Sequence, residues 1–380
     1  MSGAVSSLWR SRRVQWFFEP KLTCLCLVFL FLLTFFGTLY QVDHGLFAAQ
    51  QTFYNSYFLM LYNFLPFPGT QTVLGVLLFN LCGYLVNMLF KEKVKFGIVI
   101  IHVGLVMMLL GGAITHHFAQ ESQLTLAEGE ASNVTAAYHD WELALIRDDG
   151  EKKDVRAVDS DDLKDGQTVD FSVPGLRVTA EKYFVSCLVN MNGAPANPPQ
   201  SRMNIADLRS VPLNKEPERN IAGGIFAVQS GKETQRFLLF GEGDVSTQPV
   251  DIGGQPYWLV LRHKRFQIPM TISLAEFKRE MHPGTQLAKG FSSRVTMTAD
   301  GTERDVTISM NKPLRHRGYT LYQSSFREDQ QTGAKSSTFS VVHNYGRLLP
   351  YISTGTIVFG MVWHFVFMLI KRTKQRENAV

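Results

Sequence analysis

Two histidines set the chemistry open to this chain. His102 lies in Phe96–Thr115 and His364 in Tyr351–Ile370, two apolar runs of 20 residues with no other charged residue type. An ionisable side chain inside an apolar run of membrane length is a functional candidate by default. An imidazole there has three uses: it can ligate a haem iron, hydrogen-bond to a neighbouring helix, or carry protons. Each histidine stands seven residues from a basic flank, His102 from Lys95 and His364 from Lys371. At the α-helical rise, each sits about 10 Å inside the same membrane boundary. Two imidazoles at matching depth on two helices suit one iron held from both sides. The structural alternative is hydrogen bonding, with Asn80 and Asn87 of a neighbouring run as available partners. Both readings stay open at this point, as does proton transfer.

The elements that must position these histidines are membrane helices. Leu22–Tyr40 and Thr72–Phe90 are 19 residues each, without Asp, Glu, Lys, Arg or His. With the two runs above they make four segments of the roughly 20 residues needed to cross a bilayer. Hence neither the 45% hydrophobic content of the 380 residues nor a mean hydropathy near zero describes a soluble protein. The expected fold class is an α-helical membrane protein with four transmembrane helices (about 22–40, 72–90, 96–115 and 351–370) and a large β-rich extracytoplasmic domain at 116–350. The first run is expected to stay as a helix, since Phe36-Gly-Thr-Leu-Tyr40 offers no small-x-small cleavage site.

Charge orients the helices. Residues 116–350 hold 27 Lys and Arg against 29 Asp and Glu, so the net charge of +5 comes from the membrane flanks. This excludes a nucleic-acid footprint and reads as topology, because cytoplasmic loops collect Lys and Arg. The tail at 1–21 carries Arg10, Arg12, Arg13 and Lys21, the loop after the second run is Lys91-Glu-Lys-Val-Lys95, and the tail at 371–380 is again basic; Gln41–Gln71 has no Lys or Arg. Both termini and Lys91–Lys95 are therefore expected in the cytoplasm and residues 116–350 outside. Aromatics mixed with Asn and Ser at 53–65, before Pro66-Phe-Pro-Gly69, predict an interfacial helix on the outer face, with a re-entrant segment as the alternative.

The outer block alternates in short stretches. Leu124–Ala127, Glu142–Ile146, Leu176–Ala180, Arg236–Phe240, Tyr257–Leu261, Arg294–Thr298 and Thr338–Val342 read as strands. Asp149-Gly150, Pro174-Gly175, Gly253-Gly254 and Asp300-Gly301 read as turns. A sandwich or open barrel is expected. Met191–Gln200 reads as a loop and Ser273–Met281 as a short helix.

Other residues narrow the chemistry. Gly97, Gly104 and Gly111 repeat every seven residues, which keeps them on one helix face for close packing. His102 lies about 140° around that helix from Gly97 and points away from the packing face. His44, His116 and His117 fall near the outer membrane face and are either a metal or second haem site or solvated interfacial groups. His139, His263, His282, His316 and His343 show no ligand spacing. Of four cysteines, Cys24, Cys26 and Cys82 lie in the runs and Cys187 stands alone outside, with no C-x-x-C or C-x-x-C-H. Thiol exchange and covalently attached haem are therefore not expected. No nucleophile elbow, P-loop, HExxH or dinucleotide-binding glycine pattern occurs, so no catalytic residue is assigned.

Longer motifs carry a resemblance. They are His102-Val-Gly-Leu-Val-Met-Met-Leu-Leu-Gly-Gly-Ala-Ile-Thr115, Leu124-Thr-Leu-Ala-Glu-Gly-Glu130, His282-Pro-Gly-Thr-Gln286 with Phe291-Ser-Ser-Arg-Val295, Met310 through Ser325, and Asn344-Tyr-Gly-Arg-Leu-Leu-Pro350. In these, and in the order of three spans, outer domain and final span, the chain resembles the ResB/CcsB family of system II cytochrome c biogenesis. The resemblance implies a subunit of a bacterial inner-membrane complex with a CcsA/ResC-type partner. Together they would carry haem b across the lipid bilayer and present it, reduced, to the cysteines of an apocytochrome c. It implies that His102 matches the third-span histidine where haem enters. His364 falls where members can carry a last-span histidine, so the second axial ligand comes from His364 or from the partner. The five tryptophans are scattered, whereas the tryptophan-rich haem segment belongs to the partner, so this chain is expected not to attach haem alone. Its outer domain would dock the apocytochrome or serve as a scaffold. The competing functions are a membrane b-type haem electron-transfer subunit and a non-catalytic scaffold for the partner.

Overall fold

A computed structural model describes residues 16–61, 64–89, 95–150, 153–190, 200–201, 207–231, 233–282, 284, 288–329 and 331–378. The basic tail at 1–15, most of the 91–95 loop and the expected loop at 191–199 lie outside the described residues. The chain divides into two compact units, Met1–Ala119 with Asn344–Val380, and Gln120–His343.

The first unit holds four helices long and apolar enough to cross a bilayer: α1 (Pro20–His44), α2 (Thr70–Leu89), α3 (Phe96–Phe118) and α4 (Leu349–Glu377). An all-helical form satisfies every backbone group internally, as hydrocarbon demands. A polar knot ties α1 to α2. Asn80, buried in α2, accepts from the Thr23 hydroxyl at 2.6 Å and donates to the Phe17 and Glu19 carbonyls at 2.7 and 3.2 Å. Asn80 is thus occupied by the first helix rather than by a histidine.

The segment between α1 and α2 departs from the expected interfacial helix. A π-type turn ends at Tyr54, and a hairpin follows from β1 (Phe58–Leu61) and β2 (Leu65–Pro68), with Leu61 opposite Leu65. Pro66 and Pro68 remove the amide donors an α-helix would need, and an edge strand tolerates the loss. Gly69 closes the hairpin against Ser56, where any side chain would collide with the Ser56 backbone.

The second unit is built on one ten-stranded antiparallel sheet. In chain order its members are β3 (Gln120–Ala127), β4 (Ala131–Asp148) and β5 (Lys153–Asp159), then, after a four-stranded and a two-stranded sheet, β12 (Thr247–Ile252) through β18 (Lys335–His343). The smaller sheets comprise β6 (Gln167–Val169), β7 (Leu176–Phe184), β10 (Gly223–Ser230) and β11 (Glu233–Phe240), and β8 (Cys187–Asn190) with β9 (Asp207–Ser210). Every stretch read as a strand from sequence is one. The turn glycines Gly150, Gly175, Gly254 and Gly301 have φ of 85°, 79°, 79° and 72°, conformations that favour glycine.

Two large apolar cores result, beside a small cluster of Cys187, Leu208, Leu238 and Val245. One gathers Trp141, Leu143, Phe226, Phe237, Leu259 and Leu261 between the large sheet and the four-stranded one. The other gathers Leu126, Ile272, Leu274, Val295, Leu321 and Phe339 inside the curl of the large sheet. The strand β13 (Gln255–Met281) runs through both and absorbs Ser273–Met281, the stretch expected to be a short helix. There Ile272, Leu274 and Phe277 are buried while β14 (Ala288–Ala299) pairs alongside, so ladder bonding and burial override local helix propensity. Its register against β4 shifts between His263 and Arg265 and again between Gln267 and Ile272, where the strand passes from one core to the other.

Candidate functional site

His102 is held by its own helix. Its Nδ1 lies 2.8 Å from the Ile98 carbonyl, one turn back. A carbonyl can only accept, so Nδ1 is the donor, which in the neutral ring leaves Nε2 with its lone pair. Ligating histidines are held in this way, with the second ring nitrogen fixing tautomer and orientation. No hydrogen bond among the described residues uses Nε2 of His102. The ring also meets Tyr84 of α2, centroids 5.2 Å apart.

The glycine face of α3 packs on α4. A Cβ on Gly97 would stand 2.7 Å from the Cβ of His364, one on Gly104 would stand 3.0 Å from the Ser353 carbonyl oxygen, and one on Gly111 would stand 2.8 Å from the Cβ of Leu349. Small residues allow this approach, and close packing is what drives helix association in lipid. His102 and His364 therefore address different surfaces of α3, the first towards α2 and the second along the α4 seam.

His364 is half-buried and lines a cleft of about 730 Å³ at the ends of α3 and α4. Trp363, Phe367 and Met368 form apolar wall, and Lys95, Lys371 and Arg372 place three cations at its rim. Met368 follows His364 by four residues, so both project from one side of the helix. Neither ring nitrogen of His364 is hydrogen-bonded among the described residues.

The remaining candidates do not converge. His44 stacks on Tyr40 at 3.9 Å, and His116 meets His117 edge to face at 4.8 Å. Among the described residues, no three His, Cys, Asp or Glu side chains form a group able to hold a metal ion. Cys187 is a buried free thiol pushed up to about 12 by burial, the state of a packing residue and not of a nucleophile. His263 stacks on Trp141 at 4.1 Å, and burial sets its pKa below the ordinary value.

The motifs of the outer unit have structural work that sequence reading missed. The stretch Leu124–Glu130 ends in the β3–β4 turn, where Gly129 has φ 86°, and this turn locks onto β13. The Gly129 amide donates to the Leu274 carbonyl, the Leu274 amide donates to the Glu130 carbonyl, and the Glu128 carboxylate accepts from the Phe277 amide at 2.7 Å. Ser293, Gln323 and Ser337 close a polar triangle, with contacts of 2.6, 2.9 and 2.8 Å. Both serines are buried, and the triangle pins β14, β17 (Tyr319–Glu328) and β18 beside the Gln323/Ser325 bulge. Asn344 accepts from the Thr115 hydroxyl and the Gly346 amide, which fastens the chain leading into α4 to the end of α3. Glycine in a turn and a serine pair in facing strands were the available signals.

The family model of the ResB-like family matches residues 228–367, which take in most of the second core and most of α4 with His364, but not His102. Protein NrfI of Wolinella succinogenes is 20% identical over 300 residues, which are 78% of this chain and 30% of that protein. The chain thus spans 30% of the length of the curated relative it matches.

Proposed function

We propose that this chain, ResB-like over residues 228–367, is the haem-handling membrane subunit of a cytochrome c biogenesis complex of the system II type. The observation that carries the reading is His102: an imidazole at membrane depth with its proton committed to the Ile98 carbonyl and its Nε2 free to ligate. Haem is the cargo. In this reading both termini face the cytoplasm, the β-rich unit faces the periplasm, and both histidines lie towards the cytoplasmic side of the inner membrane. Haem then needs an apolar wall, cations for its propionates and an axial nitrogen. The cleft at His364 offers all three.

Because His102 and His364 serve different surfaces of α3, the second ligand at His102 comes from the CcsA/ResC-type partner and not from His364. The His364 cleft is an adjoining station on the same side. This chain positions haem and orders the partner. Thioether formation takes place at the partner and the apocytochrome, where proximity and orientation dominate.

Co-expression with a CcsA-type partner tests the reading. His102→Gly should lose haem from the purified complex and stop cytochrome c maturation, and added imidazole should restore both. Wild-type haem content and maturation in His102→Gly would sink the proposal.

A further inference from the structure

The outer unit contains a concave groove of about 1070 Å³. Its floor is the outward face of β12, β13, β4 and β5, where Thr247 is paired with Val260, Trp258 with Ile146, and Ile146 with Val155. Its far wall is the stretch of β13 beyond the register shift, which brings Arg265 and Phe266 over the floor. Ile146, Val155, Trp258 and Val260 give the floor an apolar and aromatic strip among polar and charged neighbours.

The lining carries three carboxylates and three cations, but one of the cations is left without a partner. At one end Lys153 pairs with Asp148 at 3.5 Å, and Asp154 pairs with Arg156 at 3.5 Å. At the other end Glu142, 4% exposed, takes Arg262 at 2.8 Å, and both side chains are largely withdrawn from water. Arg265 is the cation left over, since no hydrogen bond or ion pair of its guanidinium forms among the described residues. It is exposed at the groove mouth, yet loss of surrounding water and then Arg262 disfavour its charge, with Glu142 opposing. A guanidinium is built for a planar, bidentate carboxylate. An unmatched one beside an aromatic floor calls for an anion attached to an apolar body.

We infer that this groove is a binding site for a flat amphipathic carboxylate, with Arg265 receiving the carboxylate and Trp258 and Phe266 receiving the apolar face. Resting on the haem-handling reading, the ligand is a porphyrin held by a propionate. The groove would then be a periplasmic holding site distinct from both membrane histidines.

The test uses the full chain in nanodiscs and protoporphyrin IX, with its dimethyl ester as the uncharged control. Binding is followed as energy transfer from Trp258, taken as the signal lost in Trp258→Phe. The free acid should bind and the ester should not. Arg265→Gln should weaken the free acid about ten- to a hundredfold, the range of one charge-assisted hydrogen bond. Arg265→Lys should recover only part of the affinity, because the charge is kept and the bidentate fork is lost. Wild-type affinity in Arg265→Gln, or equal binding of acid and ester, overturns the inference. Normal maturation in His102→Gly with intact Arg265-dependent binding would instead remove the haem-transport reading and leave this site standing.

Discussion

Gly97 and His364 meet backbone to backbone: a Cβ on Gly97 would lie 2.8 Å from the Cα and 2.9 Å from the amide nitrogen of His364. Nothing flexible stands there to yield, so the third and fourth helices must separate if Gly97 gains a side chain. Gly112, on the same helix, has nothing within 4 Å of such a Cβ. Gly97→Ala should therefore cost about 1–3 kcal/mol, as overpacking does. Gly112→Ala should be neutral or gain up to about 1 kcal/mol from helix propensity. Unfolding titrations in mixed micelles would check the pair, and equal stability of the two variants would refute the packing account.

The triangle of Ser293, Gln323 and Ser337 makes a second prediction. Gln323→Leu removes three hydrogen bonds and leaves two buried hydroxyls with only each other. The expected loss is about 1–3 kcal/mol, since unsatisfied buried polar groups cost more than made bonds return. Adding Ser293→Ala and Ser337→Ala should recover part of that loss, because no polar group is then stranded. Thermal unfolding of the single and triple variants reads this directly.

Cys187 should be inert in the folded protein. With its thiol pushed up to about 12 by burial, its thiolate fraction near neutral pH is roughly a thousandfold below that of an ordinary cysteine. In a background with Cys24, Cys26 and Cys82 changed to serine, iodoacetamide should label Cys187 only after denaturation. Rapid labelling of the native chain would show that the thiol is not buried.

His263 should make the outer unit sensitive to acid. Burial, with a smaller contribution from His139, holds the folded-state pKa below the ordinary 6.5, while Asp140 opposes the shift. The unfolded chain then binds more protons than the folded one in the window just below 6.5, so stability is full above that pH and falls as pH drops through the window. His263→Phe keeps a ring on Trp141 and removes the titration. Denaturant midpoints between pH 7.5 and 5.5 should fall less for His263→Phe than for wild type, and identical slopes would rule out His263 as the cause.

Much of the molecule could be read from residues alone because its signals are local. Runs such as Leu22–Tyr40 contain nothing that water must solvate, and in hydrocarbon a helix is the only form that such a run can take without a closed barrel. The seven-residue glycine spacing already implied a close-packed face on the third helix. Alternation and turn glycines placed the strands, since a φ near +80° at Gly150 or Gly175 is a property of the residue itself.

What depended on distant neighbours was not readable. Ser273–Met281 is a strand because β14 and the second core are beside it, and Phe58–Leu61 pairs with Leu65–Pro68 because the prolines find an edge. That Asn80 serves Thr23 and the Phe17 carbonyl, and not a histidine, is a fact of how two helices lean together. Composition and spacing alone put two imidazoles inside apolar helices of membrane length. That they face different surfaces of the third helix follows from packing, because helix rotation is set by where glycines let another backbone approach, and that is a relation between segments some 260 residues apart.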